Sequence, residues 1–169
     1  MELEKRLLKM AIRQGACKAG CDKLAGMTDR NDMIRLYLDN IDFCLEKDFP
    51  EKAVIRADFG DIINGMGIFL DDVFEAQNRS KIVLLGTSHG KVRIDEFNVS
   101  EIFIKHDSTL SLVASGNAFV MVDVFDDTIL EVHAKDRAKV CVNHYGGEIH
   151  TESADEAQIR VREKHRKTY

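Results

Sequence analysis

The sequence has one proline, no tryptophan and four cysteines among its 169 residues. It also has no apolar run near the roughly 20 residues that a membrane-spanning helix needs. Its first ten residues, MELEKRLLKM, mix acidic with basic side chains and lack the apolar segment of a signal peptide. We therefore expect a cytoplasmic protein with no membrane partner.

Basic residues are also fewer than acidic residues. The 24 Lys and Arg residues face 29 Asp and Glu residues, which gives a net charge of -5 and argues against general binding to nucleic acid. The exception is the C-terminal run from Arg160 to Tyr169, where Glu163 is the one acid. This run either contacts nucleic acid or forms a solvated end that blocks further strand pairing, and we favour the second interpretation.

The cysteines do not indicate a disulfide framework, because no secretory signal accompanies them. Cys17 and Cys21 share a helix face, but a zinc site needs two more ligands, Cys44 is the one candidate in that half, and all six histidines follow residue 88. We expect buried cysteines, with no metal and no cofactor. The sequence also lacks a phosphate-binding loop and a nucleophile motif, so we assign no catalytic residue.

The first part of the chain has helical patterns. Residues 2–14 and 16–26 are rich in helix formers, and the following segment MTDRNDMIRLYLDNIDFCLEKDFP repeats apolar residues at helical spacing. Thr28 or Asp29 is expected to cap this helical segment, which Pro50 closes. A shorter helical stretch is expected over residues 51–64.

From about residue 80 the apolar residues alternate, and the alternation repeats every twenty residues. The equivalent positions are Ile82, Ile102, Val122 and Val142; Leu84, Ile104, Val124 and His144; Val92, Leu112 and Val132; and Ile94, Ala114, Ala134 and Ala154. The last interval is nineteen, which aligns Ala138 with Ala157 and Val142 with Val161. Such a period predicts a β-solenoid, in which stacked coils line up like residues.

The predicted architecture is therefore α+β. It comprises a helical region over residues 1–66, a short single-stranded solenoid of about four coils over residues 67–163, and a basic tail over residues 164–169. A meander or small β-sandwich is the alternative, but hairpins have no reason to keep equal intervals between equivalent residues.

A stack this short leaves strand edges open at both ends. We expect the helical region or the strand-like segment 67–74 to cover one end. The charged tail, a partner chain or both are expected to close the other.

Acidic residues recur where the alternation breaks. Asp107 and Asp127 are one period apart, and His106 aligns with Asp126. This acidic edge has the composition of a cation site or an acid–base pair, but Asp, Gly and Ser are also the residues that tight corners need, and we favour corners. His144 falls in an inward column, and we expect it to bond a corner backbone group.

Large apolar residues on the outward face are candidates for an interface. They are Phe119, Met121, Phe125 and Tyr145. Phe125 and Tyr145 are twenty apart and should stack. Such a surface either receives the helical region or contacts another chain.

Several sequence segments resemble those of a known protein family. LYLDNIDFCLEKDFP, GIFLDD, KHDSTLSL, VDVFDD and VNHYGG are similar to those of an uncharacterised family of gut Bacteroidetes proteins found in genomes and mobile elements. The second half also resembles, more loosely, the adhesin-like β-solenoid domains called head GIN. The first resemblance covers nearly the whole chain and implies no assigned activity.

A regular core without converging reactive groups favours a non-enzymatic structural or interaction protein that associates with itself or with a protein partner. A glycan-active or carbohydrate-binding protein that uses the Asp107–Asp127 edge is one alternative. A nucleic-acid-associated protein that acts through the basic tail is another. An acyltransferase of the left-handed β-helix type would show hexapeptide periodicity, which this chain lacks.

Overall fold

A computed structural model of the chain describes residues 2–169. The chain forms two compact units, one that extends to Met66 and includes Tyr169, and one that spans Gly67–Thr168. The first unit is helical and the second is a solenoid of parallel strands. The predicted class, α+β with a β-solenoid, is therefore confirmed.

Short helices form the first unit. They are α1 (Leu3–Arg13), α2 (Lys18–Leu24), α3 (Arg30–Asp39), α4 (Ile41–Lys47), α5 (Lys52–Val54) and α6 (Ile62–Gly65), with a π-helical turn over Ile55–Phe59. Asp29 caps α3, because its carboxylate accepts hydrogen bonds from the backbone N–H groups of Asn31 and Asp32. Asn40 separates α3 from α4, and its side-chain amide donates to the carbonyl oxygen of Leu36 at 2.9 Å.

The solenoid consists of short strands in two sheets. The strands are β1 (Ile68–Leu70), β2 (Val73–Gln77), β3 (Lys81–Leu85), β4 (His89–Ile94), β5 (Val99–Ile104), β6 (Thr109–Ala114), β7 (Phe119–Val124), β8 (Ile129–Ala134), β9 (Lys139–His144), β10 (Glu148–Ser153) and β11 (Gln158–Glu163). The odd-numbered strands form one sheet and the even-numbered strands form the other. All neighbouring strands are parallel, as winding in a single direction requires.

The register has the predicted interval. Val122 lies beside Ile102 on one side and Val142 on the other, and Val161 continues the column after the nineteen-residue step. One assignment was wrong, because Ser153 rather than Ala154 lies beside Ala134. The shorter step falls at the corner before β10, so it shifts β10 as well as β11.

The stack has about five coils rather than the four predicted, since strands β1 and β2 add one at the N-terminal end. Phe69 pairs with Leu84, and Phe74 pairs with Gly90. These intervals are shorter than twenty, so the repeat pattern did not reveal the extra coil.

The solenoid core begins with two stacked aromatic rings. The centroids of Phe69 and Phe74 are 3.5 Å apart and the rings are almost parallel. Gly90 makes room for them, because a Cβ atom there would lie 2.5 Å from the Phe74 ring. Below this layer the inward positions of the middle coils are fully buried, including Leu112, Val122 and Leu130.

Candidate functional site

The acidic edge lies at a corner where successive coils share one backbone conformation. Gly86, His106 and Asp126 have φ values of 66°, 64° and 55°, in the left-handed region. His106 Nδ1 accepts a hydrogen bond from the Gly86 N–H at 2.9 Å, and the Asp126 carboxylate accepts one from the His106 N–H at 3.0 Å. Each side chain therefore ties its own coil to the coil before it, which supports the corner interpretation of Asp126.

The other two acids of this edge, Asp107 and Asp127, are exposed. Their backbone N–H groups donate to the carbonyl oxygens of Gly86 and His106, at 3.0 and 3.2 Å. Within residues 2–169, His, Cys, Asp and Glu side chains nowhere form a group of three suited to a metal ion. The edge is thus an acidic surface at a corner whose backbone bonds hold consecutive coils together.

The opposite corner has the same kind of hydrogen bond, from a backbone N–H group to a carboxylate of the next coil. The sequence analysis did not identify this corner. The Gly116 N–H donates to the Asp136 carboxylate at 2.9 Å, and the Asp136 N–H donates to the Asp155 carboxylate at 3.1 Å. An open groove lies along this corner, where Arg137 pairs with Glu156 at 3.3 Å. Gly116 and Asp136 are twenty residues apart, and Asp136 and Asp155 are nineteen apart. This spacing could have identified the corner from the sequence.

A column of hydroxyl side chains lies inside the first corner and was also missed. Ser88, Ser108 and Thr128 are fully buried. The hydroxyl of Ser88 donates to the carbonyl oxygen of Leu85 at 2.8 Å, and that of Thr128 donates to the carbonyl oxygen of Phe125 at 2.7 Å. These buried hydroxyl groups donate to carbonyl groups at the corner, so their role is structural.

Two of the four proposed interface residues lie on the surface. Phe119 is 41% exposed and Met121 is 37% exposed, both on the outward face of β7. Phe119 lies beside Val99, which is also exposed, so a small apolar patch spans two coils.

The other two form a stacked pair, as predicted, but they do not offer an exposed surface. The ring centroids of Phe125 and Tyr145 are 4.7 Å apart, and Phe125 is fully buried. Lys164 and Arg166 each place their charged group 5.9 Å from the centroid of the Tyr145 ring. These cation–π contacts hold the start of the basic tail beside the coil of Tyr145.

His144 ends its apolar column and bonds a corner, as expected. When protonated it donates from Nδ1 to the Glu163 carboxylate at 2.8 Å and from Nε2 to the carbonyl oxygen of Gly147 at 2.9 Å. Partial burial lowers the pKa of His144, but the bonds to Glu163 and Gly147 raise it by more, so its pKa is raised overall. The pair links β9 to β11.

The C-terminal coil is one of the two end coils of the solenoid, and it has a neighbouring coil on one side. Among the described strands, β10 is the last of one sheet and β11 the last of the other. The inward-facing Val161 is 40% exposed, and Ile149 and Ile159 are half-buried. The basic tail does not bury them, since Val161 stays open to solvent while Lys164 lies at Tyr145.

The two strands of this coil carry opposite charges at their outward positions. The outward positions of β10 carry Glu148 and Glu152, on either side of His150. Those of β11 carry Arg160 and Arg162. All of these side chains are exposed. One open strand edge is therefore acidic and the other is basic.

Comparison of the chain with protein-family models, curated proteins and solved structures finds no match. In the described part of the chain, no helix has the length and apolar character needed to cross a membrane.

Proposed function

We propose that this protein is a non-enzymatic structural or interaction protein, a β-solenoid scaffold that associates with copies of itself. The observation that carries the proposal is the open C-terminal coil. Its two strands present unpaired backbone edges next to partly exposed apolar side chains. Proteins normally cover or blunt such edges, and pairing with another chain is one way to cover them.

The acidic edge supports a carbohydrate-binding or glycan-active function less well. Asp126 already accepts the N–H of His106, so one carboxylate of the edge has a structural role. Asp107 and Asp127 are exposed rather than placed in a cleft, whereas ligand sites are usually concave.

The basic tail supports nucleic-acid binding less well for a similar reason. Lys164 and Arg166 are engaged with the ring of Tyr145. Arg160 and Arg162 lie on the edge strand, where basic side chains also discourage unwanted strand pairing.

Light scattering coupled to size exclusion, over a range of protein concentrations, tests the proposal. We expect a mass above that of one chain at high concentration. Val161→Lys should reduce the chain to monomers, because it places a charge on the exposed end of the core. Val99→Lys is the matched control on another exposed valine of the same sheet, and it should leave the mass unchanged. A wild-type chain that stays monomeric at every concentration would end the proposal.

A further inference from the structure

The two open strands do not end at the same height. The chain climbs about 4.8 Å, one strand spacing, per coil, so β10 ends roughly 2.4 Å, half a spacing, before β11. The chain also reverses direction between these strands as it passes from one sheet to the other. A second copy related by a two-fold axis has two ways to meet such an end.

With the axis along the strands, β11 of each copy meets β10 of the other. The projecting strand then meets the recessed one on both sides, so both gaps equal one strand spacing. With the axis across the sheets, each strand meets its own equivalent. When the two β11 strands are then in bonding distance, the two β10 strands are about 9.6 Å apart, which is two spacings and too far for backbone hydrogen bonds. The first arrangement pairs both open edges, and the second pairs one.

The charges favour the same arrangement. When β10 meets β11 of the second copy, Glu148 and Glu152 face a strand that carries Arg160 and Arg162. When like strands meet, glutamates oppose glutamates and arginines oppose arginines. Opposite charges on adjacent strands stabilise a sheet, and like charges directly opposite destabilise it.

The inward side chains also favour the arrangement in which β10 of one copy meets β11 of the other. The chain turns at residues 154–157, where the Ala157 N–H donates to the carbonyl oxygen of Ala154 at 3.2 Å. Counting outward from this turn in both directions places Ile149 level with Arg162, so Ile149 lies across the core between the inward positions of Val161 and Glu163. A two-fold axis along the strands keeps each residue at its position along the strand, so it brings Ile149 of one copy next to Val161 of the other. The register that pairs Ile149 with Val161 sets Glu148 against Arg162.

We infer that two copies of this chain associate through their C-terminal coils, with β10 of each copy antiparallel to β11 of the other. The partner that this surface fits is thus a second copy of the same coil, with acidic edge on basic edge. The inference rests on the self-association proposed above and adds which strands meet.

Charge-swapped variants test the strand pairing. E148K/E152K makes the β10 edge basic, and R160E/R162E makes the β11 edge acidic. Each variant alone should lose the dimer, with a Kd at least about tenfold higher in low salt. An equimolar mixture of the two should form a heterodimer by native mass spectrometry. The fourfold variant that combines the changes should form a homodimer again. Far-UV circular dichroism and the urea midpoint check that each variant is folded.

The mixture of R160E/R162E with the wild-type chain separates the two symmetries. If β10 meets β11, this mixture contains one repulsive edge and forms less dimer than the wild-type chain alone. More dimer in the mixture would mean that like strands meet, which overturns the inference. A dimer that forms as well in each double variant, E148K/E152K and R160E/R162E, as in the wild-type chain would also overturn it, while self-association itself would stand. A wild-type monomer would overturn both.

Discussion

Val122 offers the clearest test of the stacked core, because the same substitution can be made at an exposed valine in the same sheet. Val122 is fully buried between Ile102 and Val142, whereas Val99 on β5 is 59% exposed. Val→Ala removes the same two carbon atoms and the same strand preference at both positions. The difference between the two variants therefore isolates burial.

The magnitudes follow from the buried surface. Two methylene equivalents at about 0.8 kcal/mol each give roughly 1.6 kcal/mol of lost transfer free energy at Val122. A cavity of about 50 Å³, at roughly 24 cal/mol per Å³, adds up to about 1 kcal/mol. Val122→Ala should therefore lower the free energy of unfolding by about 2–3 kcal/mol. Val99→Ala should lower it by about 0.7 kcal/mol, because the side chain is less than half buried and leaves no closed cavity.

Urea unfolding followed by circular dichroism measures both values, with the slope against urea checked for each variant. Equal losses for the two variants would refute the reasoning, because they would mean that Val122 is not in the core or that Val99 is.

Three further predictions concern the corners and the last coil. Asp126→Ala should lower the free energy of unfolding by about 1–2 kcal/mol, because it removes the acceptor of the corner bond and leaves a left-handed backbone; urea unfolding checks this, and no loss would contradict the corner role. Gly116→Ala should lower the thermal midpoint by several degrees, since its φ is 63° and an added Cβ would lie 2.9 Å from the Glu96 nitrogen; an unchanged midpoint in calorimetry would contradict this. The raised pKa of His144 means that its contribution to stability is present below the unfolded pKa, about 6.5, and is lost as the pH rises through the folded pKa. The stability difference between wild type and Glu163→Gln should therefore be larger at about pH 5.5 than at about pH 8.5, and the reverse order in urea unfolding would contradict the pairing.

The repeat could be predicted from the sequence because the inward positions of the middle coils are occupied by similar residues. The column Ile102, Val122 and Val142 keeps both its spacing and its apolar character. The first coil could not be found in this way. Its strands are separated from the next ones by fewer than twenty residues, and it fills the core with Phe69 and Phe74 rather than with branched residues.

The candidate surfaces were harder to predict than the fold. Alternation places Phe119 outward correctly, but Phe125 lies one residue beyond the end of β7 and is buried against Tyr145. Burial at corners depends on contacts between coils, which a two-residue period does not describe. The open last coil was anticipated as an unpaired end. Its division into an acidic and a basic edge became clear once the nineteen-residue step fixed the register of β10.

Methyl–methyl nuclear Overhauser contacts test the central claim, parallel stacking of coils, most directly. In the stacked solenoid, contacts join Ile102 with Val122, Val120 with Val140, and Val122 with Val142, so every pair differs by twenty. Antiparallel hairpins would instead give neighbouring pairs whose residue numbers have a constant sum. Contacts with a constant difference of twenty are the result we predict, and contacts with a constant sum would contradict the account.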